Sequence, residues 1–183
     1  ENLFSLLGCI QDRQKRKAIE TALVFYQKNT KDLLSQQRKQ VIHNDMNPDN
    51  VLVDKEDPFS VAGMIDFGDM LYAPLINDLS VACAYESIRE ESLYQGSKHL
   101  LLGYHAENKL TESELRLLPM LSYNRIAMSL IISEWRASEH PENKEYILGN
   151  IGHTWMVFED IIPNEIETVG EQLARFAATN IKA

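Results

Sequence analysis

His43-Asn44-Asp45-Met46-Asn47-Pro48-Asp49-Asn50 and Ile65-Asp66-Phe67-Gly68-Asp69 are the stretches that decide the fold, with Asp66 sixteen residues after Asn50. Between them, Val51-Leu52-Val53 and Val61 to Ile65 are short β-prone runs, and Asp57-Pro58 marks the turn that joins them. This pattern predicts a β-hairpin with carboxylates and amides gathered at one end, which holds several oxygen ligands around one point on a rigid support. Taken singly, each motif says little. An Asp followed five residues later by an Asn is a common turn or cap, and Asp-Phe-Gly is a three-residue match. Joined in this order around a hairpin, they become specific.

On either side the period changes to helical. Ile19, Leu23, Tyr26, Leu33 and Leu34 recur among lysines and arginines, which predicts one amphipathic helix over 12–38. Residues 11–40 carry a net charge of +5, read as a solvated helix face rather than a phosphate or RNA contact. After Pro74 the pattern is helical to the end. Leu75, Leu79, Ala82, Cys83 and Ile88 form one apolar face; Leu93, Leu100, Leu101 and Tyr104 form another. Thr111-Glu112-Ser113-Glu114 is a capping box that opens a helix running to Trp135. Pro141 and Gly149 punctuate the next stretch, a helix is expected near 150–161, and Asn164 with Glu167 resembles a further helix start. His153 and Trp155 read as packing residues. The fold class expected is mainly α with a small β-hairpin.

Composition removes several function classes. The chain has 183 residues, 44% hydrophobic and 25% charged, which excludes disorder, collagen-like repeats and coiled coil. The net charge of −9 argues against a nucleic-acid partner bound through a basic surface. Two cysteines, Cys9 and Cys83, exclude a disulfide scaffold and a cysteine-based zinc site, and suit a reducing cytoplasm. No apolar run is long enough to span a bilayer, and no charged leader opens the chain, so no membrane partner is expected. Glu1 in place of Met reads as the middle of a longer protein, and the acidic balance after residue 41 favours cationic small molecules as partners.

The two motifs together resemble the catalytic and metal loops of the protein-kinase-like fold. Protein kinases carry His-Arg-Asp and a later Ala-Pro-Glu segment; this chain has neither. It is more similar to the aminoglycoside phosphotransferase and choline kinase superfamily, in which His-Gly-Asp, an Asn five residues on, Ile-Asp-Phe and a later Asp-Leu occur in that order. Asn77-Asp78-Leu79 supplies the last element, and Asn44 stands where glycine is usual. Ile65 to Met70, Val81-Ala82-Cys83-Ala84-Tyr85, Gly103-Tyr104-His105 and Leu110 to Leu115, with Trp155, look most like the hydroxylysine kinase branch.

The resemblance implies that residues 1–183 form the C-terminal lobe, catalytic and substrate-binding, of a protein-kinase-like α+β fold. The nucleotide lobe, with its glycine loop and strand lysine, is absent from this chain and is expected as its partner. Asp45 would accept the proton of the attacking hydroxyl. Asn50 and Asp66 would hold Mg²⁺, and Leu52 and Ile65 would lie under the purine of ATP or GTP. His43 and Asp78 would support the catalytic loop. Asp69 or Glu134 would meet a substrate ammonium and Arg125 a substrate carboxylate. The function implied is transfer of the γ-phosphoryl to a small amino alcohol or hydroxy amino acid, with the fragment alone inactive. A non-catalytic kinase-like binding or regulatory module is the alternative. A metal-dependent phosphohydrolase lacks its Asp-x-Asp-x-Thr or Asp-x-His signatures here.

Overall fold

The computed structural model describes residues 3–149 and 151–180. A 3₁₀ turn, Leu3–Cys9, leads into α1 (Arg13–Phe25), whose N-cap Asp12 accepts from Gln14 N at 2.7 Å and Lys15 N at 3.1 Å. The helix buries Ile19, Ala22 and Leu23, widens through one π turn at Tyr26–Thr30 and resumes as α2 (Lys31–Ser35). The single helix expected over 12–38 is therefore interrupted and stops at Ser35. Gln36 to Arg38 form a turn that leads into a strand beginning at Lys39. Arg13, Lys17, Lys28 and Lys31 are exposed, as a solvated face requires. Arg16 donates to Ile10 O, and Lys15 Nζ lies 4.9 Å from the Trp155 ring centroid.

Strand β1 (Lys39–Ile42) pairs antiparallel with β4 (Leu71–Pro74), from Lys39↔Pro74 to Ile42↔Leu71. In the sequence only an apolar entry at Val41-Ile42 is visible; the ladder ties the start of one acidic motif to the exit of the other. Between them lies the expected hairpin, β2 (Val51–Val53) with β3 (Val61–Met64), paired Val51↔Met64 and Leu52↔Gly63. The ladder is irregular between Leu52 and Val53, and its turn is closed by Asp54 N donating to Ser60 O at 2.9 Å. Ile65, expected in the strand, lies just past it, with its N–H donating to Asn50 O at 3.0 Å.

The body is helical: α3 (Ile76–Arg89), α4 (Leu93–Glu107), α5 (Glu112–Glu139), α6 (Lys144–Leu148), α7 (Ile151–Asp160) and α8 (Ile166–Asn180). Asn150, at the start of the helix expected near 150–161, and Glu1 lie outside the described residues. Helix α5 is the axis, packed by α1, α3, α7 and α8, and it buries residues from Glu114 through Ala137. Its capping box is complete, with Thr111 and Glu114 exchanging both bonds. The Glu114 carboxylate is fully buried and also accepts from Arg38 Nε at 2.8 Å and Nη2 at 3.1 Å. This staples the start of α5 to the residue before β1.

Trp155, Phe158 and Tyr123 form an aromatic core, with Tyr123 and Phe158 stacked at 5.0 Å; His153, read as a packing residue, is instead exposed. Gly170 lets α8 approach α5 closely, since a Cβ there would stand 2.6 Å from Arg116 O. None of the described helices is long and apolar enough to cross a membrane. The hairpin side is different in kind. Leu52, Val53, Phe59, Val61, Met64, Ile65, Phe67 and Tyr72 are all exposed there, an apolar surface of the sort that marks a contact site.

Candidate active site

The loop from His43 to Asn50 is held from four directions. Asn44 has φ 68°, in the left-handed region, which Asn tolerates better than other side-chain-bearing residues. That bend turns its N–H toward Asp78 Oδ1 at 2.8 Å, on the first turn of α3. His43 is buried. Its Nδ1 accepts from Asp45 N at 3.3 Å, so the ring proton sits on Nε2 and is donated to Ile65 O at 2.9 Å. Both ring nitrogens are thus occupied in tying the loop to the end of β3, and neither is free to act as a base. Phe67 packs on the same ring at 5.0 Å between centroids.

The Asp45 carboxylate receives three side-chain donors. Oδ2 accepts from Asn47 Nδ2 at 3.0 Å and Asn50 Nδ2 at 3.2 Å, and Oδ1 from Arg125 Nη2 at 2.8 Å. Asn47 Oδ1 in turn accepts from Asp49 N and Asn50 N, capping the short 3₁₀ turn Pro48–Asn50. The carboxylate is one-fifth exposed, so it is held in place and still open to solvent.

The hydrogen bonds of Asn50 leave oxygens on this loop without donors. Asn50 is buried, and its Nδ2 donates both to Asp45 O at 2.8 Å and to Asp45 Oδ2, which assigns Oδ1 as the remaining acceptor. No described residue donates to Asn50 Oδ1 or to the exposed Asp66 carboxylate. Asp66 also adopts a left-handed conformation, φ 62° and ψ 64°, directly after the residue bonded to Asn50 O and His43. One amide and one carboxylate oxygen without donors among the described residues are of the hard-oxygen type that Mg²⁺ takes, an ion that commonly keeps several waters. No cluster of three His, Cys, Asp or Glu side chains with metal-binding spacing occurs among the described residues.

The other residues singled out in the sequence fall in three places. Leu52 and Ile65 are both exposed on the apolar hairpin face. Asp69 is exposed on the 3₁₀ turn after Asp66. Arg125 and Glu134 share α5 but not a site: nine residues apart, they are separated by about 13 Å of helical rise, and only Arg125 reaches Asp45. Sequence reasoning passed over Asn47, whose signal was an Asn before a Pro at a turn. It also passed over the Arg38–Glu114 pair, which carries no local signal.

Comparison with known proteins points to a family. Residues 10–115, more than half the chain, match the profile of the phosphotransferase enzyme family. Among curated proteins the chain is similar to hydroxylysine kinase of Mus musculus, 28% identical over 152 residues, 80% of this chain and 40% of that protein. The Bos taurus hydroxylysine kinase is 25% identical over 152 residues, again 80% and 40%. That of Xenopus laevis is 27% identical over 146 residues, 76% and 39%. The chain thus spans about two-fifths of the length of these relatives. No solved structure gives a significant match. With the match running through the His43–Asn50 loop, the hairpin and the Asp66 turn to the capping box of α5, the chain belongs to the phosphotransferase enzyme family.

Proposed function

We propose that the chain is the catalytic and substrate-binding lobe of a kinase that moves the γ-phosphoryl of ATP or GTP to the hydroxyl of a small hydroxy amino acid or amino alcohol. The observation that carries this reading is the division of labour around one loop. Asp45 is aimed by three side-chain donors, while Asn50 Oδ1 and the Asp66 carboxylate have no donor among the described residues. Asp45 accepts the hydroxyl proton as the new O–P bond forms and the bond to the β-phosphate oxygen breaks, releasing a nucleoside diphosphate. Asn50 and Asp66 would hold Mg²⁺, which would supply neutralisation of the phosphate charge. His43 and Asp78 fix the loop through Ile65 O and Asn44 N. The relatives named hydroxylysine kinase support a hydroxy amino acid as acceptor, with hydroxylysine first among candidates.

The apolar hairpin face supports a second element of the reading. Leu52 and Ile65 are 46% and 43% exposed, which suits residues that a nucleotide base and a separate nucleotide lobe would cover. The chain alone is then expected to bind nucleotide weakly and to transfer no phosphoryl group. The test is a screen with the full-length protein, Mg²⁺ and ATP or GTP against hydroxy amino acids, amino alcohols, aminoglycosides and neutral sugars. Nucleotide-dependent phosphorylation of a hydroxy amino acid or amino alcohol is the expected result. Exclusive activity on a neutral sugar would remove the acceptor class, and no transfer to any alcohol would remove the kinase reading.

A further inference from the structure

Asn47 makes two kinds of contact with one side chain. Its Oδ1 accepts from Asp49 N at 2.9 Å and Asn50 N at 3.2 Å, capping the 3₁₀ turn Pro48–Asn50, and its Nδ2 donates to Asp45 Oδ2 at 3.0 Å. The backbone sets this up, since Asn47 is extended, with φ −90° and ψ 164°, and its N–H donates to Asp45 O at 2.8 Å. Partners at both ends fix the orientation of the amide. Flipped, it would set an oxygen against a carboxylate and an NH₂ against two N–H groups.

A cap alone does not require this residue. Asn, Asp and Ser cap about equally well, because each offers an oxygen to the N–H groups of the turn. Asp has no donor to offer Asp45, and the single Ser oxygen that caps the turn cannot also stand beside that carboxylate. Only the Asn amide has an acceptor for one side and a separate donor for the other.

The donors around Asp45 are distributed unequally between its two oxygens. A carboxylate offers about four lone-pair directions, two on each oxygen. Oδ2 takes two amide donors, Asn47 Nδ2 and Asn50 Nδ2, and is filled. Oδ1 takes one, Arg125 Nη2 at 2.8 Å, and no other described residue donates to it. Among the described residues, the direction left open on Asp45 therefore belongs to Oδ1.

We propose that Asn47 is a positioning residue of the transfer step: by filling Oδ2 together with Asn50, it leaves Asp45 Oδ1 as the atom that accepts the hydroxyl proton. The inference rests on the kinase reading and deepens it. As the acceptor oxygen bonds to the γ-phosphorus, its proton passes to Oδ1. The bond from phosphorus to the bridging β-phosphate oxygen breaks, and that oxygen leaves with the electron pair on the nucleoside diphosphate. Without Asn47 Nδ2 both oxygens carry an open direction, and the carboxylate is no longer held in one orientation toward the hydroxyl.

The experiment compares the full-length protein with its Asn47→Ser variant, using the best alcohol acceptor. Ser keeps the cap and loses the donor. The unfolding temperature is expected to stay close to that of the parent protein, while kcat per folded molecule falls about ten- to a hundred-fold, as for one hydrogen bond to a charged group. KM for acceptor and nucleotide should change by no more than a few-fold, a split that a loosened fold does not produce. Asn47→Ala, which loses cap and donor together, should repeat the kcat loss and lower the unfolding temperature as well. A crystal structure of the full-length protein with the acceptor and a non-hydrolysable nucleotide analogue should place the acceptor hydroxyl within hydrogen-bond distance of Oδ1. Parent-like kcat in Asn47→Ser, a loss confined to KM, or a hydroxyl on Oδ2 overturns the assignment while phosphoryl transfer stands. Absence of transfer to any alcohol by the parent protein removes the kinase reading, and the assignment with it.

Discussion

Glu114 is the place where a single substitution bears on the frame of the site. Its carboxylate is fully buried, its Oε2 closes the capping box by accepting from Thr111 N at 2.7 Å, and it receives two donors from Arg38. In Glu114→Ala three losses combine. Losing the cap costs about 1 kcal/mol, since Thr111 is exposed and water can reach its N–H. Breaking a buried ion pair costs about 3–5 kcal/mol when the survivor is sealed in, but the Arg38 side chain is 43% exposed and turns to solvent, which reduces this to about 1–2 kcal/mol. The vacated volume adds about 1 kcal/mol. The expected destabilisation is about 3–4 kcal/mol, or a fall in Tm of about 6–16 °C for a chain of this size. Glu114→Gln keeps the volume and one acceptor and is expected to lose about half as much. Thermal and urea unfolding by circular dichroism measure both. If Glu114→Ala unfolds within about 0.5 kcal/mol of the parent protein, the staple between β1 and α5 contributes nothing and the reasoning fails.

Three other positions carry shorter expectations. At Asn44, with φ 68°, Asn44→Gly is expected to change stability by less than about 1 kcal/mol, and Asn44→Val to lower it by about 1–2 kcal/mol or more, read from urea midpoints. Burial pushes the Cys83 thiol up to about 12 from 9.0. Below pH 9 folded and unfolded chains both keep that proton, whereas above it only the unfolded thiol ionises, so stability should fall as pH rises from about 9 toward 12. Cys83→Ala should show a shallower alkaline loss; an identical pH profile would refute the assignment. In the full-length protein, Asp66→Ala should weaken Mg²⁺-dependent nucleotide binding as well as turnover, and calorimetry showing unchanged binding would refute the proposal that Asp66 holds Mg²⁺.

The hairpin was readable because its signals are local: β-prone runs of three to five residues on either side of Asp57-Pro58, with the ladder Val51↔Met64 following from them. The capping box at Thr111 was readable for the same reason. The β1–β4 ladder was not. Lys39-Gln40-Val41-Ile42 is too short to display alternation, and its partner lies beyond the hairpin. The contact of Arg125 with Asp45 joins residues 80 apart, and α5 is buried on so many sides that its sequence has no single apolar face from which an orientation could be read. That is why Arg125 and Glu134 looked equivalent in sequence while only Arg125 reaches the loop. Asn47 was visible as a turn former, but its donation to Asp45 depends on the loop geometry.

The central claim is that Asp45 accepts the proton in phosphoryl transfer. The direct measurement is kcat for the best acceptor, at saturating Mg²⁺ and nucleotide, in the full-length protein and its Asp45→Asn variant, with nucleotide affinity measured alongside. The substitution preserves size, and it removes the carboxylate that Asn47, Asn50 and Arg125 aim. Turnover is expected to fall by about 10²- to 10⁴-fold while nucleotide affinity stays within a few-fold of the parent. Near-normal turnover in Asp45→Asn would contradict the account.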